Sequence, residues 1–249
     1  MKNNITKKRQ FSEIIEKLKQ QKTYFSYEKI KVLLEKEKIN ITPALLKVYV
    51  FELTKNGVIY DAGKGWYSSI KEPFELNTRP VQEIIYKIKK ELPLLEFTCW
   101  STEQLNSFTH HVLAKFITFV YTDSDYMHNL SELLRNNGYN VYENPNKAEI
   151  EKLFTMKDQT VVVRSSISKQ PITADYYSPI EKILVDFLIE NGKIGIMENT
   201  EAEAVVKNAL NSGRINISEF HSYAKRRTVS LPVFTNQVQQ KINLEIVSR

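Results

Sequence analysis

Asp123 and Asp125 are the residues most suggestive of catalysis, because they closely follow the apolar run FITFVY at residues 116–121. Paired carboxylates at a strand end can hold Mg²⁺ in nucleotidyltransferases and metal-dependent nucleases. No Gly-Ser motif lies upstream on a helix, however. The same Asp-Ser-Asp triplet also suits the N-cap and first turn of a helix, where acids are favoured by the dipole. Glu181 and Lys182 suggest a carboxylate–lysine centre, yet Ser178-Pro179-Ile180-Glu181 reads as a capping box with Pro at N1. His110, His111, His128 and His221 lack HExxH or another ligand spacing, and the single Cys99 cannot complete a zinc site alone. Cys99 alternates with Leu95 and Phe97, as a buried small hydrophobe in a strand does. There is no GxSxG elbow. No complete catalytic set, metal site or cofactor site emerges, and the chain is expected not to be an enzyme.

Phosphate-cradling loops are equally scarce. The 249 residues include 7 glycines, where average usage gives roughly 17. There is no GxxxxGK[ST] and no GxGxxG, since Gly63-x-Gly65 is followed by Ser68 at the third position. The glycines read as punctuation: Gly57, Gly138, Gly192 and Gly213 after helices, Gly63 and Gly65 in a turn, and Gly195 in a loop after Asn191. One cysteine excludes an internal disulfide and fits a reducing cytoplasm. The longest apolar runs fall far short of a membrane span of about 20 residues, so no membrane partner is expected.

What remains is positive charge, and it is concentrated. The net charge is +6, from 35 Lys+Arg and 29 Asp+Glu. Residues 1–72 hold 15 basic and 8 acidic residues, a surplus of +7, whereas residues 73–249 hold 20 and 21. A basic module on a near-neutral body suits a polyanion, nucleic acid being the commonest, although a lysine-rich solvated surface has the same composition. Arg164-Ser165-Ser166 and the triplet Lys225-Arg226-Arg227 form possible secondary basic sites for phosphate or an acidic partner. Helix-end charge compensation also accounts for the triplet.

The elements that must position these groups follow from periodicity. Phe11, Ile14, Ile15 and Leu18 mark a first helix, and Ser26 caps a second carrying Ile30, Leu33 and Leu34. Thr42 and Pro43 open a third, which runs to about Asn56 with Leu46, Val50 and Leu53 inward and Gly57 as its C′ residue. Val58-Ile59-Tyr60, the turn 61–65 and Trp66-Tyr67-Ser68 make a β-hairpin. Three helices and a glycine-tipped hairpin read as a winged helix-turn-helix over residues 1–72. In that arrangement the third helix enters the DNA major groove. Ala44, Lys47, Phe51 and Lys55 share its outer face. Lys47 and Lys55 can reach phosphate or guanine, Thr42 can offer its hydroxyl to phosphate, and Lys64 at the hairpin tip suits a phosphate. The helix has no arginine, so strong guanine readout is not evident. Tyr49 reads as a core residue.

Residues 70–80, bracketed by Pro73 and Pro80, read as a hinge. Beyond it, helices at 81–91, 102 onward, 124–136 and near 147 alternate with strands at 95–100, 115–121, 139–143 and 160–165. This alternation predicts a larger α/β domain over residues 73–249, ending in a helical tail at 178–191, 200–211 and 217–226. The fold class expected is thus α+β/α/β.

This order of parts resembles the AbiEi-type antitoxin and transcriptional-regulator family of type IV toxin–antitoxin systems. The resemblance is carried by NGVIYDAGKGWYSS, by TCWSTEQLNSF with KFITFVYT, and by YYSPIEKILVDFL. Trp100-Ser101 matches the family's step from strand to helix, and Ser178, Pro179, Leu184 and Asp186 match a later helix. Relatives are often arginine-rich in the recognition helix, where this chain carries Lys47 and Lys55. The resemblance implies a cytoplasmic bacterial regulator that represses its own operon through an inverted repeat bound by two copies. It also implies neutralisation of a cognate nucleotidyltransferase toxin, directly or only functionally. The alternative from the residues is a metal-dependent nuclease or nucleotidyltransferase with a winged-helix docking arm.

Overall fold

The computed structural model describes residues 2–171 and 175–229. Helices combine with two β-sheets in a mixed α and β architecture. The chain divides into two units: Met1–Glu75 together with Leu210–His221, and Leu76–Ala209 together with the chain from Ser222.

In the first unit, α1 (Lys2–Gln21) buries the expected stripe of Phe11, Ile14, Ile15 and Leu18. A short strand β1 (Tyr24–Ser26) leads into α2 (Tyr27–Lys36), where Ser26 caps by accepting from the Lys29 amide at 3.1 Å. Helix α3 (Pro43–Lys55) opens as its Thr42-Pro43 signal requires, and Gly57 follows it at φ +66°. Strands β2 (Tyr60–Asp61) and β3 (Trp66–Ser68) form the hairpin, and β1 adds antiparallel to β3 to give the sheet order β1-β3-β2. Three residues are too few to display an alternating pattern, so β1 had no signature of its own. Phe11, Ile15, Phe25, Ile30, Leu46, Val50 and Ile59 form the core.

Residues 210–221 pack on the hairpin of the same unit. The Ile217 amide donates to the Ala62 carbonyl at 2.8 Å, and Trp66 stacks on His221 with ring centroids 5.1 Å apart. Tyr24 donates its hydroxyl proton to the Gly213 carbonyl at 2.9 Å and accepts from the Ile215 amide at 3.1 Å. Gly63 sits at φ +100°, and a Cβ there would fall 2.1 Å from Asn216 Oδ1. Gly65, at φ +74°, has open space around it. Gly63→Ala is therefore expected to combine backbone strain of about 1–3 kcal/mol with a displaced Asn216, whereas Gly65→Ala carries strain alone. Denaturant midpoints of the two variants check this; equal losses would show that the close approach is immaterial.

The second unit holds a four-stranded sheet of order β4-β5-β7-β6. Strands β5 (Ile117–Thr122), β6 (Asn140–Glu143) and β7 (Thr160–Ser165) run parallel, and β4 (Phe97–Ser101) closes one edge antiparallel to β5. Phe97, Cys99, Val120, Val161 and Val163 face α4 (Arg79–Glu91) and α5 (Met127–Asn136), meeting Val81, Ile84, Ile88, Leu130 and Leu134. Cys99 is thus the buried hydrophobe its alternation suggested, and burial raises its thiol pKa. By strand alternation, Trp100, Phe119, Tyr121, Val162 and Arg164 line the opposite face. The remaining helices are α6 (Lys147–Leu153), α7 (Ile180–Ile194), α8 (Asn199–Ser212) and α9 (Ile217–Arg226).

Three local expectations are corrected. The helix expected from Thr102 is a 3-10 turn, Thr102–Phe108, started by reciprocal bonds between Ser101 and Gln104. The capping box expected at Ser178 does not form: Pro179 is the N-cap of α7 and makes no side-chain cap bond. Ser178 instead donates its amide to the Cys99 carbonyl at 2.9 Å, beside a bridge between Tyr177 and Cys99. That pairing with β4 sets the chain's direction before the helix begins. Finally, Gly192 lies inside α7, and Gly195 ends it at φ +70°. Among the described residues, no helix is long and apolar enough to cross a membrane.

Candidate functional site

The outer surface of α3 carries the first candidate site. Lys47 and Lys55 on α3 and Lys64 on the hairpin are exposed, and none is paired with a described residue. Several other cations of this unit are paired: Lys8 to Glu52 at 2.6 Å, Arg9 to Glu13, Lys19 to Glu16 and Lys31 to Glu28. Lys17, Lys22, Lys36 and Lys38, on or just after α1 and α2, are exposed and unpaired with described residues, like those of α3. Glu52 is the only acid in α3, so its pairing with Lys8 leaves the helix's own lysines uncompensated. Thr42 Oγ1 accepts from the Leu45 amide at 3.4 Å, which leaves its hydroxyl proton free to donate outward. Tyr49 is buried against Phe11, as its core reading requires. Ala44 and Phe51 are exposed beside the lysines, and so is Val48, which the periodicity did not single out. Phe51 is 67% exposed and Val48 49%. Cations with free ends beside apolar groups can bind phosphate and contact base edges.

The other charged groups have different fates. Of the expected basic triplet, Lys225 and Arg226 are exposed, but Arg227 turns inward to Asp186 Oδ1 at 3.5 Å. The three therefore do not share one surface, because a buried carboxylate claims the last. Arg164, expected at a phosphate site, is buried as well. Its Nε and Nη2 donate to Glu190 Oε2 at 3.1 and 2.6 Å, and its Nη1 donates to the Pro145 carbonyl at 2.8 Å. Asp123 caps the turn Ser124–Tyr126 by accepting from the Asp125 amide at 3.0 Å. Among the described residues, no three His, Cys, Asp or Glu side chains gather as a metal site would require.

The most concentrated polar chemistry is a buried ionic centre in the second unit. Helix α7 places Lys182, Asp186 and Glu190 four residues apart on one line, all fully buried. Lys182 is ion-paired to Asp186 Oδ2, and its ammonium lies 3.5 Å from the centroid of the Tyr121 ring. The Tyr223 hydroxyl donates to Asp186 Oδ1 at 2.8 Å. Burial lowers the pKa of Lys182, and Asp186 opposes that shift. The charged groups are paired throughout, so the centre ties α7 to the sheet through Arg164 and to the end of α9 through Tyr223 and Arg227. The Tyr121 hydroxyl alone in this group is buried without a hydrogen-bond partner among the described residues. In the sequence Lys182 stands out only beside Glu181, as a nuclease candidate, and the network is not apparent. A signal was present, since charges spaced i, i+4, i+8 in a helix apolar on its other faces have no solvated side to occupy.

The centre makes alkaline stability a readout. Burial, and then the charge of Asp186, raise the hydroxyl pKa of both Tyr121 and Tyr223. The folded protein keeps protons that the unfolded chain loses above about pH 10. Their contribution is complete below that pH and is lost as pH rises, by about 1.4 kcal/mol per pH unit per tyrosine. Lys182 acts in the opposite sense but only below the ordinary lysine range, about 10.4. Tyr223→Phe is expected to remove one such slope between about pH 10.5 and 11.5 in urea denaturation. Parallel curves for variant and wild type would contradict the assignment.

A profile described as a family of unknown function, DUF6577, matches residues 45–242. No curated protein matches the chain.

Proposed function

The chain belongs to the DUF6577 family, whose description names no activity, and we propose from its own residues that it is a DNA-binding transcriptional regulator. The carrying observation is the pair of exposed lysines, Lys47 and Lys55, unpaired with any described residue, on α3 of a module with a charge surplus of +7. The succession α1-β1-α2-α3-β2-β3 and the sheet order β1-β3-β2 support a winged helix-turn-helix reading, with α3 in the major groove and Lys64 on the wing. Thr42 contributes a hydroxyl to phosphate at the start of the helix. Phosphate contacts of this kind fix register and supply salt-dependent affinity.

The resemblance to AbiEi-type antitoxins extends the proposal. The regulator acts in the cytoplasm, represses its own operon at an inverted repeat, and counters a nucleotidyltransferase toxin encoded beside it. Fluorescence anisotropy against duplex DNA from upstream of its own reading frame tests the reading. Binding to that DNA more tightly than to an unrelated duplex of equal length is the expected result. Absence of binding to either, at low salt, would sink it.

A further inference from the structure

We infer that α3 reads DNA by contacting thymine methyl groups through the apolar line Ala44, Val48 and Phe51, with its lysines serving the phosphates. This inference rests on the DNA-binding reading and specifies which feature of DNA is recognised. The three residues stand at i, i+4 and i+7, one above another on a single helix face. At 1.5 Å per residue the line is about 10 Å long, which matches about three base pairs at 3.4 Å each. All three are exposed, Phe51 more than Val48.

The alternatives on the same helix are few. Bidentate recognition of guanine by arginine, or of adenine by asparagine or glutamine, needs side chains that α3 does not contain. Thr54 spends its hydroxyl on the Val50 carbonyl at 3.0 Å, and Glu52 is paired with Lys8. Besides Lys47 and Lys55, which can reach phosphate or guanine, what α3 can offer a base edge is methyl and aromatic surface, whose partner in the major groove is the thymine C5 methyl. Charge selects the occupant. The line is flanked by Lys47 and Lys55, cations unpaired with any described residue, and the helix's single acid is neutralised. A polyanion with apolar groups in its groove complements that surface better than a neutral protein face.

The test starts by enriching duplexes from a random pool on the full-length protein. The enriched duplex is then resynthesised with deoxyuridine in place of thymidine, which removes only the C5 methyl. Wild type is expected to enrich A·T pairs and to bind the uracil duplex about fourfold more weakly for each buried methyl removed. Phe51→Ala, at an exposed position, should bring the thymine-to-uracil affinity ratio towards one and keep the salt dependence. Equal affinity of wild type for the two duplexes overturns the methyl readout and leaves DNA binding standing. Failure to bind any duplex overturns the DNA-binding reading and this inference with it. A change of oligomeric state in Phe51→Ala, seen by sedimentation, would assign the line to a contact between copies and overturn the inference. The wild-type ratio decides even if the variant is poorly folded.

Discussion

Asp186→Ala is expected to destabilise the second unit by about 3–5 kcal/mol, the usual loss when one member of a buried ion pair is removed. The carboxylate serves three groups at once: the Lys182 ammonium, the Tyr223 hydroxyl and the Arg227 guanidinium. Lys182 and Asp186 are both fully buried. Without Asp186 the lysine must stay buried without its partner or lose its proton. The double variant Lys182→Met/Asp186→Leu should recover the part of the loss due to the stranded lysine, because well-packed apolar replacements of buried pairs are often neutral or stabilising. Tyr223 and Arg227 still lack their acceptor in it. Trp100 lies in the second unit and Trp66 in the first. Urea denaturation in a Trp66→Phe background therefore reports the unit that holds the centre. A double variant as unstable as Asp186→Ala would show that the centre does more than pair its own charges.

The second large effect is on affinity. Lys47→Ala, Lys55→Ala and Lys64→Ala combined are expected to weaken DNA binding on the order of 10²-fold at 0.15 M salt, if each lysine neutralises one phosphate. Because phosphates carry no sequence information, the loss should be nearly uniform across duplexes. All three side chains are exposed and unpaired with described residues, so folding should be unaffected. A loss confined to one sequence would instead place these lysines on base edges.

Much of the local structure was legible in the sequence, and the reasons are specific. Thr42-Pro43 and Gly57 bracket α3 because capping, fixed proline φ and positive φ are local requirements. The expected helix over 217–226 coincides with α9, whose apolar positions recur at helical spacing. Strand β1 exists only because β3 is there to pair with it. The packing of residues 210–221 on the hairpin joins segments about 150 positions apart, and no local pattern encodes it. The same holds for the site. Lys47, Lys55 and Lys64 were visible as cations on surface elements. The fate of Arg164 and Arg227 depended on Glu190 and Asp186, carboxylates distant in sequence and brought near by packing. Ser178 was misread as a cap because its competing partner, the Cys99 carbonyl, lies on another strand.

We propose that the charge surplus of residues 1–72 forms a DNA-binding surface centred on α3. Its most direct test is the logarithm of the binding constant plotted against the logarithm of salt concentration, for wild type and for the triple lysine variant on the same duplex. A linear fall is expected for wild type, with a slope shallower by about 2.7 in the variant, or about 0.9 for each phosphate that no longer meets a lysine. A wild-type affinity that ignores salt, or identical slopes for the two proteins, would contradict it.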